Sequence, residues 1–437
     1  MFDKVKSMEK NILKQIFFDK NHNWDKFVEK HEKRIRPVVL KEVDKFRQCG
    51  DPRNGFKLFV CEGCHATRKI PYRCKSRFCT TCSCGETEEW SRIVAEDVVQ
   101  TNHRHVIFTI DKNLWIIFEK HRFLLKSYID EAVAIVQSYF KKSRKIIPGI
   151  IAGLHTFGSR LNFNPHIHMM VTMGGMKKSG EWEKYDFIPF ELLRKQWQTV
   201  ALKLIRKGLS EEEKQQVQPL LQKSYNANAA GFYVYAPKQK GNVKVQIQYI
   251  GRYMRRAAIG MSRIVSYDGN NVVFKYSDKT DGQEKEMQVS VEEFIGMLIK
   301  HIPDEYFKVI RHYGVYSRRI KSLCKRLISS WQKNARKWLV KAKRLLKRNW
   351  RQRITEQTGK DPMVCPHCSN YYEYKGEVCL KDGKLTVKYA KDNMARAYLE
   401  RMIDDITGNA KKEDTEKRRE TNVSTPNYSN IYLLDMR

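Results

Sequence analysis

Acidic residues are the scarce component of this chain: 49 Asp and Glu stand against 83 Lys and Arg among 437 residues, and no acid lies between Glu305 and Glu356. A formal charge of +34 makes a chain repel itself unless a polyanion is its working partner. Nucleic acid leads that class, ahead of a membrane surface or a merely solvated basic face. No apolar run reaches the roughly 18 residues that a bilayer span needs, and no secretory leader pattern opens the chain. A cytoplasmic protein with no membrane contact is expected. No G-x-x-x-x-G-K-[ST] loop occurs, which excludes a motor of the P-loop type.

What is present describes a globular chain. With 41% hydrophobic and 30% charged residues, packed domains rather than disorder are expected. Five segments can be drawn. Residues 1–50 carry Ile12, Leu13, Ile16, Phe17, Trp24, Phe27 and Val28 at helical spacing. Residues 51–100 hold most of the cysteines and 101–316 a run of strands and helices. Residues 317–360 form a basic helical arm suited to a phosphate backbone, and 361–437 a C-terminal segment with a poorly ordered tail. Within 101–316, strands are predicted at 105–110, 150–157 and 166–173, and helices over 114–142 and 185–230. Strand-like alternation returns at Val243, Val245 and Ile247, and a hairpin turn is expected at Asp268-Gly269-Asn270-Asn271.

Eleven cysteines without an export signal point to metal ligation rather than disulfides. Cys61-x-x-Cys64 and Cys79-x-x-Cys82 are two knuckles about 15 residues apart, a spacing that suits structural zinc. Cys74 and Cys84 are surplus, and either could displace one of the four. Arg73, Lys75 and Arg77 between the knuckles suit phosphate contacts. A second zinc site could involve Cys365, Cys368 and Cys379, with His367 or a remote residue as the fourth ligand.

Asn164-Pro165-His166-Ile167-His168 is the sharpest signal. In a strand, His166 and His168 share one face about 7 Å apart, which is chelating geometry on a rigid support. Satisfied surface histidines would explain the pair alone, but His155 on the preceding strand falls on the same face whether it pairs with His166 or His168. His103-Arg104-His105 mimics the spacing; because Arg104 is charged and the triplet only opens a strand, it is set aside.

Tyr249 and Tyr253 stand four apart and would share a helical face. Arg252, Arg255 and Arg256 supply charge for phosphates, and Gly251 would let a DNA backbone come close. Core packing is the usual explanation of such a tyrosine pair; beside the histidines it acquires a chemical one. A phenol of pKa ~10 attacks a phosphodiester poorly unless a cation offsets the phosphate charge. Attack would leave a 5′-phosphotyrosine and a 3′ hydroxyl, conserving the ester without ATP. Too few carboxylates flank the histidines for the rival chemistry of an acid triad holding two metals.

At these residues the sequence resembles the rolling-circle insertion-sequence transposases with a two-tyrosine HUH nuclease, the IS91 type. The resemblance runs to about residue 330 through C-E-G-C…C-K-S-R-F-C-T-T-C, H-V-I-F-T-I, L-H-T-F-G-S-R-L-N-F-N-P-H-I-H and Q-Y-I-G-R-Y-M-R-R-A-A-I. It implies an α+β fold: a central antiparallel sheet backed by helices, with a zinc-binding module before it and the basic arm after. It also implies that His166, His168 and His155 hold Mg or Mn and that Tyr249 and Tyr253 are nucleophiles. The zinc module would bind element ends in a prokaryotic cytoplasm, with single-stranded DNA as substrate and a host helicase or replication as its source. A plasmid replication initiator or relaxase could use the same residues, and a zinc-dependent DNA-binding regulator would need none of the catalysis.

Overall fold

The computed structural model describes residues 11–83, 87, 90–91, 94, 98–99, 101–237, 247, 249–251, 254, 257–278, 280–318, 351–352, 355 and 359–408. Two compact units form, one drawn from residues 20–39 and 86–344 and the other from residues 1–19, 40–85 and 345–437. Among the described residues, no helix is long and apolar enough to cross a membrane.

The first unit is built on a five-stranded antiparallel sheet. In chain order its strands are β3 (His103–Phe108), β4 (Gly149–Phe157), β5 (Phe163–Thr172), β8 (Val234–Tyr235) and β12 (Ile310–Gly314), arranged β12-β4-β5-β3-β8. Alternation decides what each face carries. Val106, Phe108, Ile150, Ala152, Leu154, Ile167, Met169 and Val171 enter one large core, packed with residues of helices α4 (Trp115–Lys120), α5 (Leu124–Arg144), α6 (Phe190–Gly208) and α7 (Glu211–Ala227). Large side chains seal this layer: Trp197 is fully buried with Nε1 donating to Thr109 O at 2.7 Å, and buried Tyr128 donates to Pro165 O at 3.0 Å. Each such burial is worth about 1.5–3 kcal/mol, and the Tyr128 bond also anchors α5 one residue from His166.

The intervening residues Ile151 and Met170 point the other way, into a smaller cluster with Val94, Val98, Val99, Ile247, Ile250, Met254, Val315 and Tyr316. His105, Gly153, His155, His166 and His168 alternate onto this second face. A three-stranded sheet, β9 (Ile264–Tyr267), β10 (Asn271–Ser277) and β11 (Glu284–Ser290), carries helix α8 (Val291–Ile299), with Phe274 against Phe294. The expected hairpin turn links β9 to β10. Asp268 accepts from the backbone N–H groups of Asn270 and Asn271, and Gly269 has φ 105°, a conformation that suits glycine.

In the second unit, β1 (Gly55–Cys61) and β2 (Thr67–Pro71) pair with β13 (Tyr372–Lys381) and β14 (Lys384–Ala390) as one antiparallel sheet, β14-β13-β1-β2. Helix α9 (Asn393–Thr407) closes a core of Phe56, Leu58, Val378, Leu399 and Met402. Phe17, Phe46 and Phe78 pack edge to face beside the cysteines.

Some sequence expectations move. The helix predicted over 114–142 is two helices, broken where Leu124 N–H turns back to His121 O. The strand expected at 105–110 runs from His103 to Phe108. Ile247 is helical rather than extended, while Val243 and Val245 lie outside the described residues, as do nearly all of the basic arm and the tail beyond residue 408. Residues 361–408, set apart in the sequence as a C-terminal segment, share a sheet with residues 55–71.

Candidate functional site

Register places the histidines. On β4 and β5, His155 pairs with His166 and Gly153 with His168, with a bulge after His155. The ligand-capable nitrogens of His155, His166 and His168 all lie within 4.8 Å of one another. The rings crowd: His155 and His168 have centroids 4.5 Å apart, and His166 and His168 4.8 Å apart. His166 Nδ1 lies 2.8 Å from Asn164 O, a carbonyl that can only accept, so that nitrogen carries the proton and the lone pair sits on Nε2. By the same reasoning His155 donates from Nε2 to Met254 O at 3.2 Å and keeps its lone pair on Nδ1.

His105, set aside in the sequence, belongs to the cluster. β3 pairs beside β5 with His105 opposite Met170, which brings the imidazole diagonally against His168. Nε2 of His105 is 2.8 Å from Nδ1 of His168 and the rings stack. The triplet therefore divides: His103 is a buried structural residue, bonded to Thr101 O and Tyr316 Oη, both at 2.7 Å, whereas His105 braces a candidate ligand. Its opening position on a strand hid this; pairing across strands was the only signal that could have found it.

Burial, together with the neighbouring imidazoles of His155, His166 and His105, holds His168 well below the ordinary imidazole pKa. Burial and then His166 bring His105 down to about 4. Neutral rings at physiological pH are what a cation requires of imidazole ligands. The cluster offers a cation three nitrogens on a rigid sheet, with at least one ring held from behind.

The segment around Tyr249 lies on the same sheet face. Ile250 and Met254 are fully buried there, and the added Cβ of a side chain at Gly153 would meet Met254 O at 3.2 Å. Tyr249 is helical and 43% exposed, while Tyr253, Arg252, Arg255 and Arg256 lie outside the described residues. Gly251 does not face outward for a DNA backbone. It is buried, and a Cβ there would meet Ser91 Cα at 3.1 Å and Cβ at 3.0 Å, so its small size serves helix packing.

Two family models match the chain: "Putative transposase" over residues 149–324 and "Transposase zinc-binding domain" over residues 20–110. Among curated relatives, a "Transposase for insertion sequence element IS801" from Pseudomonas savastanoi pv. phaseolicola is 29% identical over 324 residues, spanning 70% of this chain and 77% of that one. The chain belongs to the IS91 family of transposases. A "Putative transposase y4qJ" from Sinorhizobium fredii (strain NBRC 101917 / NGR234) is 25% identical over 343 residues, covering 73% and 84%. No solved structure matches.

The transposase thus acts on DNA and carries a zinc-binding domain, and the cysteines show how that domain is built. The two knuckles expected to share one ion are separated. Cys79 and Cys82 gather with Cys74 and with Cys49, which the sequence reading missed because it stands alone before Gly50. In this quartet Cys49 Sγ is 3.5 Å from Cys82 Sγ and 3.8 Å from Cys79 Sγ, and Cys74 Sγ is 3.7 Å from Cys82 Sγ. Cys61 and Cys64 instead meet Cys365 and Cys368. Cys379 belongs to neither group; it pairs across the sheet with Gly55 and lies by Thr386 Oγ1. His367 is exposed, and Cys84 lies outside the described residues. Arg73 and Lys75 are exposed beside the first quartet and Arg77 is half-buried.

Proposed function

We propose that this transposase is a metal-dependent HUH endonuclease and strand transferase. It cuts and rejoins single-stranded DNA at the ends of its element and at the target, through 5′-phosphotyrosine links to Tyr249 and Tyr253, in rolling-circle transposition. One observation carries the reading: three imidazoles converge within 4.8 Å on the sheet face where Met254, in the tyrosine segment, accepts a hydrogen bond from His155.

The donor set fits a small divalent cation, since the lone pairs assigned to His155 and His166 belong to neutral tautomers and burial keeps His168 unprotonated. Mg or Mn held by His155, His166 and His168 would draw charge from the scissile phosphate as an electrophile. The remaining chemistry is the chain's own. A tyrosine oxygen bonds to phosphorus as the bond from phosphorus to the 3′ oxygen breaks; the phenol proton departs and the 3′ oxygen gains one. The second tyrosine allows another transfer while the first is esterified. Arg252, Arg255 and Arg256 neutralise phosphates beside it, and Arg73, Lys75 and Arg77 hold the element end. The thiolates of Cys49, Cys74, Cys79 and Cys82 hold structural zinc. Strand separation comes from replication or a host helicase, in the cytoplasm near the chromosome.

Incubation with a labelled single-stranded end oligonucleotide and Mn tests the proposal. A covalent 5′ adduct is expected, lost with chelator and in the Tyr249→Phe, Tyr253→Phe double variant. Cleavage persisting in that variant would defeat the nucleophile assignment, and an intact strand under all conditions would favour a non-catalytic DNA binder.

A further inference from the structure

The second cysteine quartet joins Cys61 and Cys64, within the zinc-binding match, to Cys365 and Cys368, about 300 positions on and outside both family matches. Cys61 Sγ lies 3.3 Å from Cys368 Sγ and Cys64 Sγ 3.6 Å from Cys365 Sγ, with all four sulfurs within 4.8 Å of one another. A tetrahedral zinc with Zn–S near 2.3 Å needs sulfurs about 3.8 Å apart. Bonded sulfurs would sit at about 2.05 Å.

The two halves of this quartet repeat one backbone turn. In Cys61-Glu62-Gly63-Cys64-His65, His65 N–H returns to Cys61 O at 3.1 Å and Cys61 N–H bonds to Ala66 O at 2.9 Å. In Cys365-Pro366-His367-Cys368-Ser369, Ser369 N–H returns to Cys365 O at 2.9 Å and Cys365 N–H bonds to Asn370 O at 2.7 Å. The residue after each second cysteine is left-handed, His65 with φ 55° and Ser369 with φ 62°. Non-glycine residues rarely adopt that conformation, so its occurrence at equivalent positions marks two copies of a chelating turn rather than chance. Sheet register sets them face to face, because Cys61 at the end of β1 pairs with Tyr372 at the start of β13. Glu62 N–H bonds to Tyr371 O at 3.0 Å, and Arg68 donates to Pro362 O at 2.6 Å while lying over the Tyr372 ring. Cys61 and Cys365 are fully buried among Phe59 and Tyr372, where thiols with no ion between them would crowd without benefit.

We propose that Cys61, Cys64, Cys365 and Cys368 bind a second structural zinc, which clasps the C-terminal segment onto the N-terminal hairpin and completes the zinc-binding domain from both sides of the catalytic region. A two-stranded hairpin such as β1-β2 is marginal alone; with β13, β14 and α9 it gains a core, and the ion closes the long intervening loop. The site does not depend on the nuclease reading.

Metal analysis of the full-length protein, purified under a phosphine reductant, should find about two zinc ions per chain. The Cys365→Ser, Cys368→Ser double variant should lose one, and Cys379→Ser should lose none. Because the double variant could misfold, unmodified protein provides the deciding measurement: alkylation followed by peptide mass spectrometry. Cys61, Cys64, Cys365 and Cys368 should all resist alkylation under reductant and become reactive together at one chelator concentration, while Cys379 labels at a rate that chelator does not change. Cys365 and Cys368 labelling as fast as Cys379 before chelation would overturn the proposal. So would release of all four by reductant alone, which would mean disulfides, or protection of Cys365 and Cys368 outlasting that of Cys61 and Cys64.

Discussion

Nε2 of His105 stands 2.8 Å from Nδ1 of His168, two imidazoles from adjacent strands sharing one proton between them. With Nδ1 of His168 donating that proton to Nε2 of His105, the lone pair of His168 stays on its Nε2 for a cation, and the ring cannot rotate without breaking the bond. Outer partners of this kind set ligand orientation as firmly as the ligands' own backbone.

His105→Ala should therefore weaken Mn binding by about 10–100-fold while leaving the fold intact. His105→Gln, whose side-chain oxygen can still accept from Nδ1–H, should recover part of that loss. Titration with Mn followed by calorimetry or magnetic resonance reads the effect directly. Unchanged affinity in the Ala variant would reduce His105 to core packing.

Acid should destabilise the unit that carries the histidines. Burial takes His103 down to about 4 and His301 down to about 3, the latter despite its bond to Leu161 O. Both folded values lie below the unfolded value of about 6.5. Their stabilisation is thus complete above that pH and is lost as pH falls, because the unfolded chain takes up protons that the folded one refuses. His103 alone accounts for on the order of 2 kcal/mol between pH ~7 and pH ~5. Urea unfolding at a series of pH values checks this, and His103→Gln should flatten the slope.

Gly251→Val should shift the tyrosine-bearing helix, since even a Cβ would meet Ser91 Cβ at 3.0 Å, closer than ordinary van der Waals contact. Overpacking of this kind costs about 1–3 kcal/mol. Reduced adduct formation with unaltered zinc content is the expected pattern. Full activity in the Val variant would mean that the helix yields more easily than its packing suggests.

Cys49→Ser should remove one zinc equivalent and lower the melting temperature of the protein, although no C-x-x-C motif includes this residue. Its sulfur is within 3.8 Å of both Cys79 and Cys82. Metal analysis beside a thermal melt decides it, and an unchanged zinc count would leave Cys49 a bystander.

The sequence by itself determined which residues lie on which face. Strict alternation in H-I-H-M-M-V sends Ile167, Met169 and Val171 to the core and His166 and His168 away from it, because the period of a strand is a local property of the chain. His155 was legible for the same reason, since either register left it on that face, and the Asp268–Asn271 turn followed from turn chemistry alone. Partners distant in sequence were not legible. That His105 braces His168, that Gly251 packs on Ser91, and that Cys61 and Cys64 turn from Cys79 and Cys82 toward Cys365 and Cys368 depend on strand order and long-range register. Local spacing names candidate ligands, but only the tertiary fold chooses among them, because a coordination sphere a few ångströms wide is filled by whatever the sheet brings together.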